Sequence, residues 1–153
     1  MVIYQQGDPR WSQDKMGKSN ATVGRYGCLI TALMSLNSWY NPKSILTPGW
    51  AARKLLFTTT GLLYWKSIDM ETAMKFVYRY YREDKAKILS ILSSKDNAAV
   101  LEVPLGTAKH WVLLTGYSRV KGYRVADPLH GDTVWLSTRY KAPTGFAEIT
   151  RNK

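Results

Sequence analysis

The sequence predicts an α+β domain in which N-terminal helices pack on a C-terminal antiparallel sheet. Three observations predict it. Apolar residues recur at three- and four-residue spacing up to about residue 93. From Ala98 onward they fall instead into short strand-like runs. Gly and Pro punctuate the gaps between those runs. Helices first and strands afterwards, rather than an alternation of the two, mark the α+β class.

The elements follow in chain order. The first 27 residues are rich in Gly, Asp, Ser, Asn and Pro and read as loops and turns. A helix is expected from Cys28 to Tyr40, burying Leu29, Leu33, Leu36 and Tyr40, with Asn41-Pro42 as its stop. Thr47-Pro48 has the form of an N-cap followed by proline at the first helical position, opening a short helix through about Phe57. Thr58-Thr59-Thr60-Gly61 breaks the chain. A third helix is expected from Met70 to Arg82, with Met70, Ala73, Met74, Val77 and Tyr81 on one face, and a short fourth from Lys85 to Ser93. Strands are expected at Ala98–Val103, Trp111–Tyr117, Tyr123–Asp127, Thr133–Leu136 and Phe146–Thr150. With no internal repeat, linker or low-complexity tract, residues 1–153 read as one domain, a length that supports a sizeable core.

Composition narrows the function classes. One cysteine excludes an internal disulfide framework and the usual multi-cysteine zinc arrangements. With two histidines as well, neither a metal nor another cofactor is expected. No run approaches the ~18 apolar residues of a membrane-spanning helix. The start, Met1 to Gly7, lacks the basic and apolar regions of a secretory signal, which predicts synthesis in the cytoplasm, with release by other means if the chain acts at a cell wall. Lys and Arg number 22 against 11 Asp and Glu, a formal net charge of +11. Such a field attracts anionic polymers. No basic block is dense enough, and no glycine-aromatic pattern regular enough, to read as a nucleic-acid module.

Four residues carry the candidate chemistry. Cys28 follows Gly27 and opens an apolar helix. A thiol in the first turn of a helix faces unpaired backbone N–H groups and the positive end of the macrodipole, which suits a nucleophilic sulfur. Taken alone, a single cysteine on an apolar helix reads as a small buried hydrophobe. Gly24 and Gly27 count against that, because they remove bulk beside the thiol. His110 opens the run Trp111-Val112-Leu113-Leu114-Thr115-Gly116, a strand start that presents an imidazole at a sheet rim as a general base. His130 competes, but Leu129-His130-Gly131-Asp132 reads as an exposed turn. Asp127 ends a strand before Pro128 and suits the role of orienting a histidine. A side-chain amide from Gln5 or Gln6, with the Cys28 backbone N–H, would form an oxyanion hole.

Together these segments resemble the C39-like group of papain-fold cysteine peptidases. The similarity is carried by Gln6-Gly7-Asp8-Pro9-Arg10-Trp11, by Gly27-Cys28 with its apolar helix, by His110 to Gly116, and by Val125-Ala126-Asp127-Pro128, in that order. The resemblance implies a papain-like fold, with Cys28 as nucleophile, His110 as base, Asp127 as orienting carboxylate and Gln6 as oxyanion-hole residue. The spacing Gln-x-Asp-x-x-Trp fits Gln6 and not Gln5. It makes Asp8 and Trp11 structural, and Gly116-Tyr117 and Tyr123-Arg124 a strand pair. Members that trim double-glycine leader peptides are usually fused to a membrane transporter, a segment not seen here. The stretch Gly17–Tyr26 is basic and polar, which suits a substrate other than a plain apolar peptide.

The expected function is thus hydrolysis of an amide bond in a peptide or protein, peptidoglycan peptides included. Acyl transfer to an amine uses the same four residues. Two alternatives belong to other classes. One is a non-catalytic peptide- or glycan-binding module of the same fold, with a groove built from the six tryptophans and ten tyrosines. The other is a basic nucleic-acid-associated protein, resting on charge alone.

Overall fold

The computed structural model describes residues 1–153. Its framework is a wholly antiparallel sheet of six strands: β1 (Met74–Tyr80), β2 (Asn97–Leu105), β3 (Ala108–Ser118), β4 (Gly122–Asp127), β5 (Asp132–Trp135) and β6 (Gly145–Arg151). Their spatial order is β1-β6-β2-β3-β4-β5. The helices are α1 (Val23–Tyr26), α2 (Cys28–Tyr40), α3 (Pro48–Lys54), α4 (Ile68–Glu71) and α5 (Lys85–Ser93). The chain is an α+β fold, as its sequence pattern predicts.

Strand alternation divides the core in two. Val100, Leu113, Ala126, Ala147 and Ile149 face α2 and α3 on one side of the sheet. Leu101, Val103, Val112, Val125 and Phe146 face the other side, where Ile88 and Ile91 of α5 cover them. The central strand is buried on both faces, so Val112, Leu113 and Leu114 read as a continuous apolar run.

Helix α2 is enclosed all round: every residue from Ile30 to Ser38 is buried. Its polar residues are therefore put to use. Ser38 Oγ accepts from the backbone N–H of Val2 at 2.8 Å, and Ser35 Oγ from that of Tyr4 at 3.0 Å. The N-terminal segment thus runs beside α2 from its far end toward its first turn. Two residues of extended chain match about one turn of helix. Continuing that course, the segment carries Gln6 toward the end that starts at Cys28.

The sequence pattern differs from the fold in three places. The expected helix over Met70–Arg82 is instead the short α4 followed by strand β1. Of its supposed apolar face, Met74 is fully buried but Met70 is 90% exposed and Tyr81 80%. The segment Phe76-Val77-Tyr78-Arg79-Tyr80 is rich in β-branched and aromatic side chains, and pairing with β6 decides it. Asp69 Oδ1 accepts from the Phe76 N–H at 2.8 Å next to the bulge between Phe76 and Tyr78. The short helix stops at Lys54 rather than Phe57, because Phe57 forms a bridge with Leu63 and packs over Gly17. Within the first 27 residues, Val23–Tyr26 forms a helical turn.

Removing the Ser35 hydroxyl leaves the buried Tyr4 N–H without a partner. Ser35→Ala is expected to cost about 1–3 kcal/mol in urea unfolding, with Ser93→Ala, an exposed serine, as a near-neutral control. Equal midpoints for the two variants would show that the N-terminal segment is not held in this way.

Candidate active site

Strand register sets up the central pair. β3 and β4 match Leu113 with Ala126 and Leu114 with Val125. One step further, Asp127 stands opposite Val112, which makes His110 its diagonal neighbour on the same face. His110 Nε2 lies 2.8 Å from Asp127 Oδ1. Both are enclosed, His110 at 2% exposure and Asp127 at 0%. The strand starts at Ala108, so His110 is its third residue and pairs with Val103.

The other ring nitrogen, Nδ1, is left on the side of the half-buried Cys28 thiol, which lies close enough to bear on the His110 titration. Cys28 is the first residue of α2, and an N–H at that position has no partner within its own helix. Gly27, just before it, is required by packing. A Cβ there would meet the Val23 carbonyl oxygen at 2.6 Å, and one at Gly24 would meet that of Ser12 at 2.9 Å. These glycines let α1 and its preceding loop close against the start of α2, a role different from the one their position beside the thiol suggests.

Burial pushes the His110 imidazole toward its neutral form, but Asp127, which accepts from the ring, and the neighbouring Cys28 side chain outweigh it and hold the group up to about 9. Burial would likewise raise Asp127. Four donors reverse that: His110, the Tyr140 hydroxyl at 2.6 Å, Arg139 Nη1 at 2.8 Å and the Leu129 N–H at 3.0 Å. They keep its carboxyl well below the usual carboxylate range.

Gln6 is buried at 3% exposure. Its backbone N–H donates to the Pro128 carbonyl at 2.9 Å, and its Nε2 to the Gly24 carbonyl at 3.1 Å. It thus ties the residue after Asp127 to the segment just ahead of Cys28. Oε1 is buried with no partner. Gln5 points elsewhere: its exposed amide reaches the Leu129 carbonyl at 3.5 Å, and its stem packs on Gly131. A Cβ at Gly131 would come within 2.9 Å of Gln5 Cβ, and the backbone there has φ +70°. His130, in the same turn, is exposed. Trp11 Nε1 donates to the Gln5 carbonyl at 2.9 Å, and Asp8 pairs with Arg10 at 2.8 Å, so both shape the loop that carries Gln6.

Two residues on the site have no signal in the sequence. Arg139 reads there as one member of a basic cluster and Tyr140 as an ordinary aromatic. The 3-10 turn Leu136–Thr138 returns both to Asp127. Beside Gly24, an open and mainly polar groove is lined by Gly7, Ser12, Asn20, Thr22 and Tyr26. A more apolar cavity lies at the opposite end of α2, against Leu36, Trp39 and Tyr40. No three His, Cys, Asp or Glu side chains converge in a way that would hold a metal ion.

A group raised on folding contributes stability that is fully present below its ordinary value and lost as pH rises through its folded value. For His110 that window runs from 6.5 to about 9. Asp127, which is lowered, has the opposite sign: its contribution is present above 3.8 and lost as pH falls. At pH 6 the wild type is therefore expected to melt several degrees above His110→Gln (~2–4 °C for each kcal/mol). The gap should narrow as pH rises from 6.5 to 10, and a constant gap would contradict the assignment.

Comparison with protein-family models, curated proteins and solved structures gave no match, so no family is assigned to the chain on that basis.

Proposed function

We propose that this chain is a cysteine peptidase or amidohydrolase of the papain-like type, acting through Cys28, His110, Asp127 and Gln6. The observation that carries the reading is a His110 imidazole that is hydrogen-bonded to a fully buried Asp127 and has the Cys28 thiol as its other neighbour. A nucleophile, a base and an orienting carboxylate in that order are what thiol-dependent acyl transfer requires.

In this mechanism His110 takes the proton of the Cys28 thiol as Sγ attacks the carbonyl carbon of an amide. The carbonyl electron pair moves onto oxygen, where the Cys28 N–H and the free second hydrogen of Gln6 Nε2 stabilise it. On collapse the C–N bond breaks, the amine takes the proton from His110, and a thioester remains on Cys28. Water then gives a proton to His110 and attacks the thioester. The C–S bond breaks, releasing the acid and regenerating the sulfur–imidazole pair. An amine in place of water gives acyl transfer by the same steps. Asp127 holds the ring in one orientation throughout and keeps its own charge.

The surroundings support one substrate class. The groove beside Gly24 is polar, which favours a hydrophilic peptide over an apolar one. Of the 22 Lys and Arg, only Arg10, Arg53, Arg79, Lys87, Arg139 and Lys153 are paired with carboxylates. The remaining positive field suits a substrate set among anionic polymers, and peptidoglycan peptides meet both requirements.

Cys28→Ala is expected to lower turnover of peptidoglycan peptides by ~10⁴-fold or more with an unchanged circular dichroism spectrum. Asp127→Asn should slow it less than His110→Ala, because Asp127 orients and does not transfer the proton. Turnover at the wild-type rate by folded Cys28→Ala would end the hydrolase reading.

A further inference from the structure

The Asp127 carboxylate does more than face His110. Its Oδ1 takes His110 Nε2 and the Leu129 N–H, while Oδ2 takes the Tyr140 hydroxyl and Arg139 Nη1. Arg139 is shared in turn: Nη1 and Nη2 form a fork on Asp132, at 2.9 and 3.0 Å. Tyr140 also lies against the imidazole, with ring centroids 5.3 Å apart. One short segment, from the end of β4 to the residues after the 3-10 turn, therefore supplies the carboxylate and three of its four donors.

We propose that Arg139 and Tyr140 are positioning residues of the Cys28–His110–Asp127 relay that act through Asp127, their hydrogen bonds to Oδ2 drawing part of its negative charge away from the ring. The proposal rests on reading those three residues as a catalytic relay. Its physical basis is competition for one charge. An imidazolium is stabilised by the carboxylate it faces, and a guanidinium on the other oxygen of that carboxylate opposes it. The charged and titratable groups around the ring are Cys28 from α2, Asp127 from β4, Tyr140 beside it and Arg139 behind Asp127, with Asp132 of β5 beyond. Asp132 sets how much of the Arg139 charge reaches Asp127, because it competes for the same guanidinium. The exposed side of Arg139 is limited to about a quarter of its side chain, so water screens the effect only in part.

The test follows the His110 ring by proton NMR between pH 6 and 11. A His130→Gln background makes His110 the only histidine signal. Arg139→Met should raise the titration midpoint by about one pH unit, and Arg139→Lys, which keeps the charge, should bring it back toward the parent. Tyr140→Phe removes a donor from the same carboxylate and should raise the midpoint by a smaller amount. Asp132→Asn has the opposite sign: it frees Arg139 for Asp127 and should lower the midpoint. A merely structural role for Arg139 would lower the midpoint in Arg139→Met by loosening Asp127, or leave it unmoved. Either result in a folded variant overturns the proposal. If Arg139→Met does not fold, Asp132→Asn decides: a lowered midpoint upholds it, and an unchanged or raised one overturns it. The midpoint is read without substrate. Shifts of the expected signs in a protein that hydrolyses nothing would therefore end the peptidase reading alone. Hydrolysis with an unmoved midpoint would end this proposal alone.

Discussion

A carboxylate with no exposure to water is the constraint around which this site is organised. Asp127 cannot remain charged inside the fold unless its oxygens are satisfied, because an uncompensated buried charge costs several kcal/mol. Its four donors come from β3, from the turn after β4 and from the residues after the 3-10 turn. Each supplying segment is therefore held relative to the others. The His110 ring takes one orientation because Nε2 must serve Asp127, and Nδ1 is left for the thiol. The geometry at Cys28 is thus set by a residue it does not touch.

The second requirement is to bring the first turn of α2 to that rim of the sheet. Two serines do part of this work from inside an enclosed helix, and the close fit of Val23 against Gly27 does the rest. The N-terminal segment then lies between α2 and the β4–β5 turn. It donates the Gln6 N–H to Pro128 and its side-chain amide to Gly24. Gln6 is in this way fixed at both ends by backbone carbonyls from opposite sides of the site. In the proposed mechanism a side chain held like that would lose little further freedom on meeting an oxyanion, which is the condition for effective electrostatic stabilisation.

Much of this was legible in the sequence. The helix opening at Cys28, the five C-terminal strands, and the places of His110 near the start of one strand and Asp127 at the end of the next follow from apolar periodicity and from turn residues, whereas the burial of both does not. The segment Met70–Arg82 imitates a helix because Met70, Ala73, Met74 and Val77 satisfy a helical spacing, while its aromatic and β-branched content favours a strand and β6 offers a partner. Pairing with a distant strand leaves no mark in a local window. Arg139 and Tyr140 were hidden for a similar reason. Their partner is 12 or 13 residues away, and the return path is a 3-10 turn that no short pattern announces. The glycines before Cys28 were visible, but their closeness to Val23 and Ser12 is a property of the folded chain.

The central claim is that Cys28 and His110 act as one unit, and reactivity of the single thiol measures that most directly. The rate of Cys28 alkylation by iodoacetamide at pH 6 should be compared between the wild type and folded His110→Ala. The account predicts a fast wild-type reaction that falls by about tenfold or more in the variant, since the imidazole holds the proton that the sulfur gives up. Equal rates in the two proteins would contradict it.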